Sequence, residues 1–86
     1  MKYGGDVLKL NEAIAKRIKE LCKQNGLTQY GLTTKSGVPQ STLSTITNCT
    51  FPSVKIRIIY EICDGLGITL KEFFDSPLFD RDNIED

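Results

Sequence analysis

The stretch from Leu27 to Ile46 reads LTQYGLTTKSGVPQSTLSTI, and it decides the fold of this chain. Its pattern predicts two short helices around a tight turn. Thr28 can cap the first helix by accepting from an orphan backbone N–H, and Gly37 can take the positive φ that such a turn requires. Pro39 suits the start of the second helix, where a missing N–H costs nothing.

The apolar residues of this stretch lie where two crossing helices would touch. Leu32 is the expected buried contact of the first helix, and Val38 is expected under the turn. Leu43 and Ile46 are three residues apart, which makes them the inward stripe of the second helix. This spacing predicts a helix-turn-helix, the unit that places its second helix in the DNA major groove.

The outward face of the second helix carries short hydrogen-bonding side chains. It comprises Gln40, Ser41, Ser44 and Thr45. A solvated helix face more often carries Glu, Lys, Ala or Arg, because Ser and Thr lower helix propensity. Gln can pair bidentately with adenine and Thr can contact a thymine methyl, so these four residues are expected to read bases. A merely polar face in an α-helical domain is the alternative.

The order and spacing of these motifs resemble the Cro/lambda-repressor-like helix-turn-helix family, also called the XRE family, over about residues 14–74. The likeness rests on Thr28-Gln29, Leu32, Gly37-Val38, Gln40-Ser41-Thr42-Leu43-Ser44 and Asp64-Gly65-Leu66-Gly67-Ile68. It implies an all-α, compact five-helix domain in which helices 2 and 3 form the helix-turn-helix. Members bind double-stranded operator DNA, usually as homodimers, and repress transcription.

Phosphate contacts are expected at the start of helix 2 and in the loop after helix 3. The N–H groups at the start of helix 2 form an anion site, and the resemblance places Gln29 where the family has a glutamine that anchors the DNA backbone. The expected set is Thr28, Gln29, Tyr30, Lys35, Asn48, Thr50 and Lys55. Tyr30 and Lys35 are equally compatible with plain solvent-facing surface.

Several positions depart from the family pattern. Helix 3, the second helix of the motif, has no arginine or lysine, so the strong guanine contact is missing. Thr33 and Ser36 stand where alanine and a larger apolar residue are common, and both are expected to loosen the motif. The following loop lacks the usual glycine. The alternative function is therefore a helix-turn-helix protein-interaction module, antitoxin-like or degenerate, with weak DNA binding.

The remaining helices support this unit. We expect helix 1 from a cap at Asn11 to about Asn25, and helix 4 from a cap at Ser53 to Gly67. The expected core face of helix 4 is Ile56, Ile59, Ile62, Cys63 and Leu66. A capping box, Thr69 to Glu72, opens a fifth helix that ends at Phe74. Residues 1–10 are expected as an N-terminal tail, 11–76 as the domain and 77–86 as an acidic C-terminal tail.

Charge is distributed unevenly although the net charge is zero, with 11 basic and 11 acidic residues. Up to Arg57 the chain has nine basic and three acidic residues, a local charge of +6, and from Ile58 onward it has two basic and eight acidic residues, a local charge of −6. The part that contains the helix-turn-helix is therefore the basic one, as phosphate attraction requires. The acidic tail is either a solubilising terminus or a regulatory segment.

Composition argues against several other functions. The 86 residues make one small domain, with three cysteines and no histidine. Zinc sites need four ligands at paired spacing and thiol catalysis usually needs a base, so we expect no metal, no cofactor and no enzyme. Without a second domain, an effector pocket is not expected. Free thiols and the absence of a long apolar run or signal peptide favour the cytoplasm.

A homodimer is expected because one small domain contacts few phosphates. The two half-sites would then lie about 34–36 Å apart, one turn of the DNA. The sequence points to Phe74, Leu78 and Phe79 as the dimer interface, with simple closure of the core as the alternative.

Overall fold

A computed structural model of the protein describes residues 7–86 and shows five α-helices. They are α1 (Leu10–Gln24), α2 (Gln29–Ser36), α3 (Gln40–Thr47), α4 (Ile56–Leu66) and α5 (Leu70–Phe74). Two short 3₁₀ helices follow, Pro77–Phe79 and Arg81–Asn83. Within this range the sole β pairing is an isolated parallel bridge between Leu8 and Ile84. The predicted all-α, five-helix domain is confirmed.

The turn between α2 and α3 forms as its sequence predicts. The Thr28 side chain accepts a hydrogen bond from the Gly31 N–H at 3.0 Å. Gly37 ends α2 in the left-handed conformation, with φ 76°. Pro39 lies one residue earlier than expected, as the extended N-cap of α3 with ψ 146°. The bounds of α2 and α3 match the expectation.

One hydrophobic core holds the helices together. α1 packs against α3, and α2 packs against α4. The buried cluster comprises Ile14, Ile18, Leu21, Leu32, Val38, Leu43, Ile46, Ile59, Ile62, Cys63 and Phe73. Burying each large aliphatic side chain stabilises the fold by about 1.5–3 kcal/mol. The short α2 and α3 therefore depend on this shared core for their position.

α2 and α4 approach most closely at two small residues, Ser36 and Gly65. A Cβ added to Gly65 would lie 2.7 Å from Ser36 Cα and 2.8 Å from Ser36 N, so only glycine fits there. The Ser36 hydroxyl donates to Leu32 O at 2.7 Å and accepts from Val38 N–H at 3.2 Å. Both bonds of this hydroxyl lie within α2 and its turn, and the Ser36 backbone is what faces Gly65. The expectation that Ser36 loosens the motif stays a prediction.

The first helix begins earlier than expected. Its N-cap is Lys9, whose N–H donates to Glu12 Oε1 at 2.8 Å. Asn11, the expected cap, lies inside the helix and is buried. Its Nδ2 donates to Phe51 O at 3.1 Å, which ties the start of α1 to the loop between α3 and α4.

The fourth helix begins later than expected. Lys55 is its N-cap, in an extended conformation with ψ 130°, so the chain is not yet helical at Ser53. The late start leaves Ile56 59 % exposed. Its expected place in the core is therefore a wrong prediction, whereas Ile59, Ile62 and Cys63 are buried as predicted.

The C-terminal segment folds onto the domain and is not a tail. Leu78 and Asn83 are both 0 % exposed, and Asn83 Nδ2 donates to Pro77 O at 2.7 Å. Leu8 N–H donates to Asn83 O, and Glu85 N–H donates to Leu8 O, both at 2.9 Å. Residues 7–10 and 77–86 therefore belong to the domain, while residues 1–6 of the expected N-terminal tail lie outside the described residues.

The aromatic residues near the C-terminus close the core. Phe74 and Phe79 stack edge to face with ring centroids 4.9 Å apart, and both lie against Phe73. Because Leu78 has no exposed surface, it cannot contact a second subunit in this fold. The prediction of Leu78 as a dimer contact is wrong, and core closure explains its position.

Candidate nucleic-acid interface

The polar side chains on the outer face of α3 differ in their exposure to solvent. Gln40 and Ser41 are exposed, and Ser44 and Thr45 are half-buried. The Thr45 hydroxyl donates to Ser41 O at 2.9 Å, which leaves its methyl and an oxygen lone pair for a partner. With its side chains an α-helix is about 10–12 Å across, which fits the DNA major groove of about 12 Å.

The Gln29 side chain connects α2 to α3. Its Nε2 donates to Ser44 Oγ at 2.8 Å. Its Oε1 lies 3.2 Å from the Thr47 hydroxyl, whose single proton it shares with Leu43 O at 3.0 Å. Gln29 keeps one amide hydrogen and Ser44 keeps its hydroxyl proton for an external acceptor. The structure thus places an expected phosphate contact directly against an expected base contact. Thr47 was not identified from the sequence, because a threonine on a polar helix gives no sign of being buried.

The start of α2 forms a donor site for an anion. The Thr28 cap satisfies Gly31 N–H, so helix geometry leaves the N–H groups of Gln29 and Tyr30 without an acceptor within the helix. The Tyr30 side chain is 68 % exposed beside them. Lys35 lies six residues after Gln29, about 9 Å along the helix axis, and is not brought into this cluster.

A second polar group surrounds the end of α3. Asn48 is its C-cap, and Thr50 N–H donates to Thr45 O at 3.1 Å. Lys55 shares a cleft of about 230 Å³ with Thr45 and Phe51. Asn48, Thr50 and Lys55 are all exposed, so the expected phosphate contacts after α3 lie at one end of it.

The loop after α3 contains a backbone conformation that favours glycine. Cys49 has φ 55°, and it is the one non-glycine residue with positive φ in the described range. Left-handed conformations cost an L-residue about 1–2 kcal/mol. The family resemblance leads one to expect a glycine in this loop. The loop still contains a left-handed residue, but that residue is Cys49 and not glycine.

Two lysines of α1 join the site, although sequence reasoning did not assign them a role. Lys19 and Lys23 line a cleft with Gln29 and Thr47, called here the α1–α2 cleft, of about 330 Å³. Their spacing of four residues puts them on one face of α1, a signal that the sequence does contain. They place positive charge beside the start of α2.

The helix-turn-helix itself carries no acidic residue. Between Glu20 and Glu61 the sequence has no acidic residue, and this interval contains both helices of the helix-turn-helix. The carboxylates of the C-terminal segment lie beyond it in sequence. A polyanion approaching α2 and α3 therefore meets amides, hydroxyls and lysines belonging to these elements, with no carboxylate from the same interval.

Two of the cysteines are held as neutral thiols by burial. Burial raises the pKa of the Cys22 and Cys63 thiols, which favours their neutral form. All three cysteines are free.

Within residues 7–86 no group of three His, Cys, Asp or Glu side chains is arranged to hold a metal ion, and no helix is long and apolar enough to cross a membrane.

Solved structures share this fold over most of the chain. Prophage Lp1 protein 11 is 28 % identical, with a TM-score of 0.75 over 94 % of this chain and 99 % of that one. The wild-type restriction-modification controller protein C.Esp1396I is 25 % identical, with a TM-score of 0.71 over 80 % of this chain and 88 % of that one. A mutant of that controller protein is 24 % identical, covers 84 % and 90 %, and has a TM-score of 0.73, which shows the fold alone. No curated protein matches the sequence.

The family comparison agrees with the geometry of the site. The model of the Cro/C1-type helix-turn-helix DNA-binding domain matches residues 17–77, an interval that contains the capped α2, the glycine turn and all of α3. The resemblance inferred from the motifs is thereby confirmed. A glycine turn that packs through the buried Val38, an outward polar α3 and a sequence match over most of the chain lead to one conclusion: this protein belongs to the Cro/C1-type helix-turn-helix DNA-binding family.

Proposed function

We propose that this protein is a sequence-specific, double-stranded DNA-binding transcriptional regulator that acts as a repressor. α3 enters the major groove, where Gln40, Ser41, Ser44 and Thr45 read base edges. The observation that carries the proposal is the accessible polar face of α3, held by Gln29 at 2.8 Å from Ser44. An amide that fixes a hydroxyl on this face gives a defined donor, as base reading requires.

Phosphate contacts on both sides of α3 set its depth in the groove. On one side the N–H groups at the start of α2, the remaining Gln29 amide hydrogen and the two lysines of the α1–α2 cleft receive one stretch of backbone. On the other side Asn48, Thr50 and Lys55 receive another. Because α3 has no cationic residue, these flanking contacts supply most of the affinity.

The protein binds as a homodimer through a face that includes the start of α4. Ile56 and Tyr60 lie four residues apart and are 59 % and 50 % exposed, and Phe51 in the preceding loop is 62 % exposed. Apolar side chains this accessible are typical of interaction surfaces. Pairing of this surface with its copy doubles the phosphate contacts. Ile56→Glu is expected to lower the dimer fraction in analytical ultracentrifugation, and Gln24→Glu, at an exposed residue ending α1, serves as the control for an added surface charge.

The direct test is a fluorescence-anisotropy titration with a selected duplex and a random duplex at two salt concentrations. We expect a preferred site and an affinity that falls steeply with salt, since each neutralised phosphate adds about −0.9 to the slope of log K against log salt. Gln40→Ala is expected to cost about 1–3 kcal/mol on the selected duplex and to relax preference at one base position. Gln24→Ala, at an exposed glutamine ending α1, is the matched control.

Two outcomes would contradict this function. Equal loss of affinity for the selected and random duplexes in Gln40→Ala would remove Gln40 from base reading. Weak, salt-insensitive binding of every duplex would favour the protein-interaction module instead. Repression itself is tested with a reporter whose promoter overlaps the selected site, where expression of the protein should lower transcription.

A further inference from the structure

The α1–α2 cleft has an apolar floor that DNA binding does not require. Its volume, about 330 Å³, falls at the lower end of the roughly 300–1,000 Å³ typical of small-molecule sites. The lining residues are Ile18, Lys19, Cys22, Lys23, Leu27, Gln29, Leu32 and Thr47. Four of the eight are apolar or thiol side chains, whereas a phosphate oxygen would be bound by the polar ones alone.

The charged groups of the cleft have one sign. Lys19 and Lys23 are both exposed and lie on successive turns of α1, and no lining residue is acidic. The remaining polar groups, on Gln29 and Thr47, hydrogen-bond each other at 3.2 Å. The cleft therefore offers two cations beside an apolar surface, which is complementary to a molecule with an anionic head and a hydrocarbon chain.

The geometry points to a regulatory site: we propose that the α1–α2 cleft binds an amphipathic monocarboxylate, with its alkyl chain against Cys22 and Leu27 and its carboxylate between Lys19 and Lys23. Occupancy places one negative charge between the two lysines, which lowers their combined charge from +2 to +1, and covers the outer side of Gln29. The ligand and a DNA phosphate thus compete for the same cations. This second step rests on the proposed DNA-binding function, whereas the binding site itself does not.

The cysteines provide a test that needs no DNA. Cys22 lines the cleft and Cys49 does not, yet both are half-buried, so Cys49 is an internal control. The probe is octanoate, and the readout is the rate of iodoacetamide labelling of each cysteine by mass spectrometry. Since burial raises the pKa of the Cys22 thiol, labelling is run at mildly alkaline pH. At octanoate about tenfold above its Kd, Cys22 labelling should slow about tenfold, with Cys49 unchanged.

Charge and chain length are varied separately. Octanol has the same chain without the charge and should protect Cys22 less than octanoate does. From hexanoate to octanoate, affinity should rise about fourfold for each methylene that the cleft buries. Lys19→Ala/Lys23→Ala should reduce protection by octanoate to the level seen with octanol, while Lys16→Ala, at an exposed lysine of α1 outside the cleft, should leave it unchanged.

Each outcome decides one part of the proposal. Unchanged Cys22 labelling, or equal slowing of Cys22 and Cys49, overturns the ligand site, and the DNA-binding function then stands or falls by its own titration. Protection of Cys22 together with release of a bound duplex supports both steps. Protection of Cys22 while the duplex stays bound keeps the site and overturns the competition. If no duplex binds at all, the proposed function fails and Cys22 protection alone still decides the site.

Discussion

The two helical glycines, Gly31 and Gly65, should respond to alanine with opposite signs. In an isolated helix, Gly→Ala stabilises by about 1 kcal/mol, because glycine loses more backbone entropy on folding. Gly65 lies in α4, where a Cβ would be 2.7, 2.8 and 2.9 Å from backbone atoms of Ser36 and Lys35. Backbone in another helix cannot move aside as a side-chain tip can, so α2 and α4 must separate.

The magnitude follows from the size of that shift. Ordinary contact begins at 3.4 Å, so the shortest of these distances must open by about 0.7 Å. Overpacking of a well-packed interior costs about 1–3 kcal/mol, and a clash with three backbone atoms belongs at the upper end. After the gain in helix propensity, Gly65→Ala should lower the free energy of unfolding by about 2 kcal/mol. For a domain of this size the midpoint falls by about 8–16 °C.

Gly31→Ala is the matched control. Its Cβ would meet Leu27 Cδ2 at 3.3 Å and Thr28 Oγ1 at 3.5 Å, both of them side-chain atoms. Here the propensity term prevails, and the variant should gain up to about 1 kcal/mol. Urea denaturation followed by far-UV circular dichroism measures both. A Gly65→Ala protein as stable as the parent would refute the close approach of α4 to the end of α2.

Two further substitutions test individual features. Cys49→Gly should raise the free energy of unfolding by about 1 kcal/mol, because the φ of 55° no longer strains an L-residue. The control is Cys49→Ala, which removes the thiol but keeps the Cβ, and it should bring no such gain in the same urea titration. Leu78→Ala should lower the free energy of unfolding by about 3 kcal/mol, as expected for a fully buried leucine, and Pro77→Ala at the exposed neighbour should cost less. In analytical ultracentrifugation the Leu78→Ala protein should keep the dimer fraction of the parent. If Leu78→Ala abolished the dimer without lowering the free energy of unfolding, Leu78 would be a dimer contact and not a core residue.

Local sequence signals predicted the helix-turn-helix and the short fifth helix. The Thr28 cap, the positive φ of Gly37 and the capping box of Thr69 and Glu72 each involve residues at most three apart. The chemistry of such contacts is contained in the residue types themselves. For that reason the bounds of α2 and α3 and the polar outer face of α3 could be predicted from the sequence alone.

Features that depend on distant partners could not be obtained in this way. Asn11 has a side chain that suits an N-cap, but in the structure it lies inside α1. Its amide donates instead to Phe51 O, 40 residues away, and this partner cannot be read from the local sequence. The acidic C-terminal segment has a composition typical of a tail, and its burial depends on pairing between Leu8 and Ile84. The α1–α2 cleft was missed because its walls come from three separate helices.

The link from Gln29 to Ser44 and Thr47 has a consequence for how binding preference can change during evolution. In the proposed complex one amide both anchors the DNA backbone and orients a hydroxyl that reads a base. A substitution at Ser44 therefore alters the anchor as well as the readout, and the effects of changes at Gln29 and Ser44 should not add. New preferences are more accessible through Gln40 and Ser41, whose side chains lie outside this link and can vary independently.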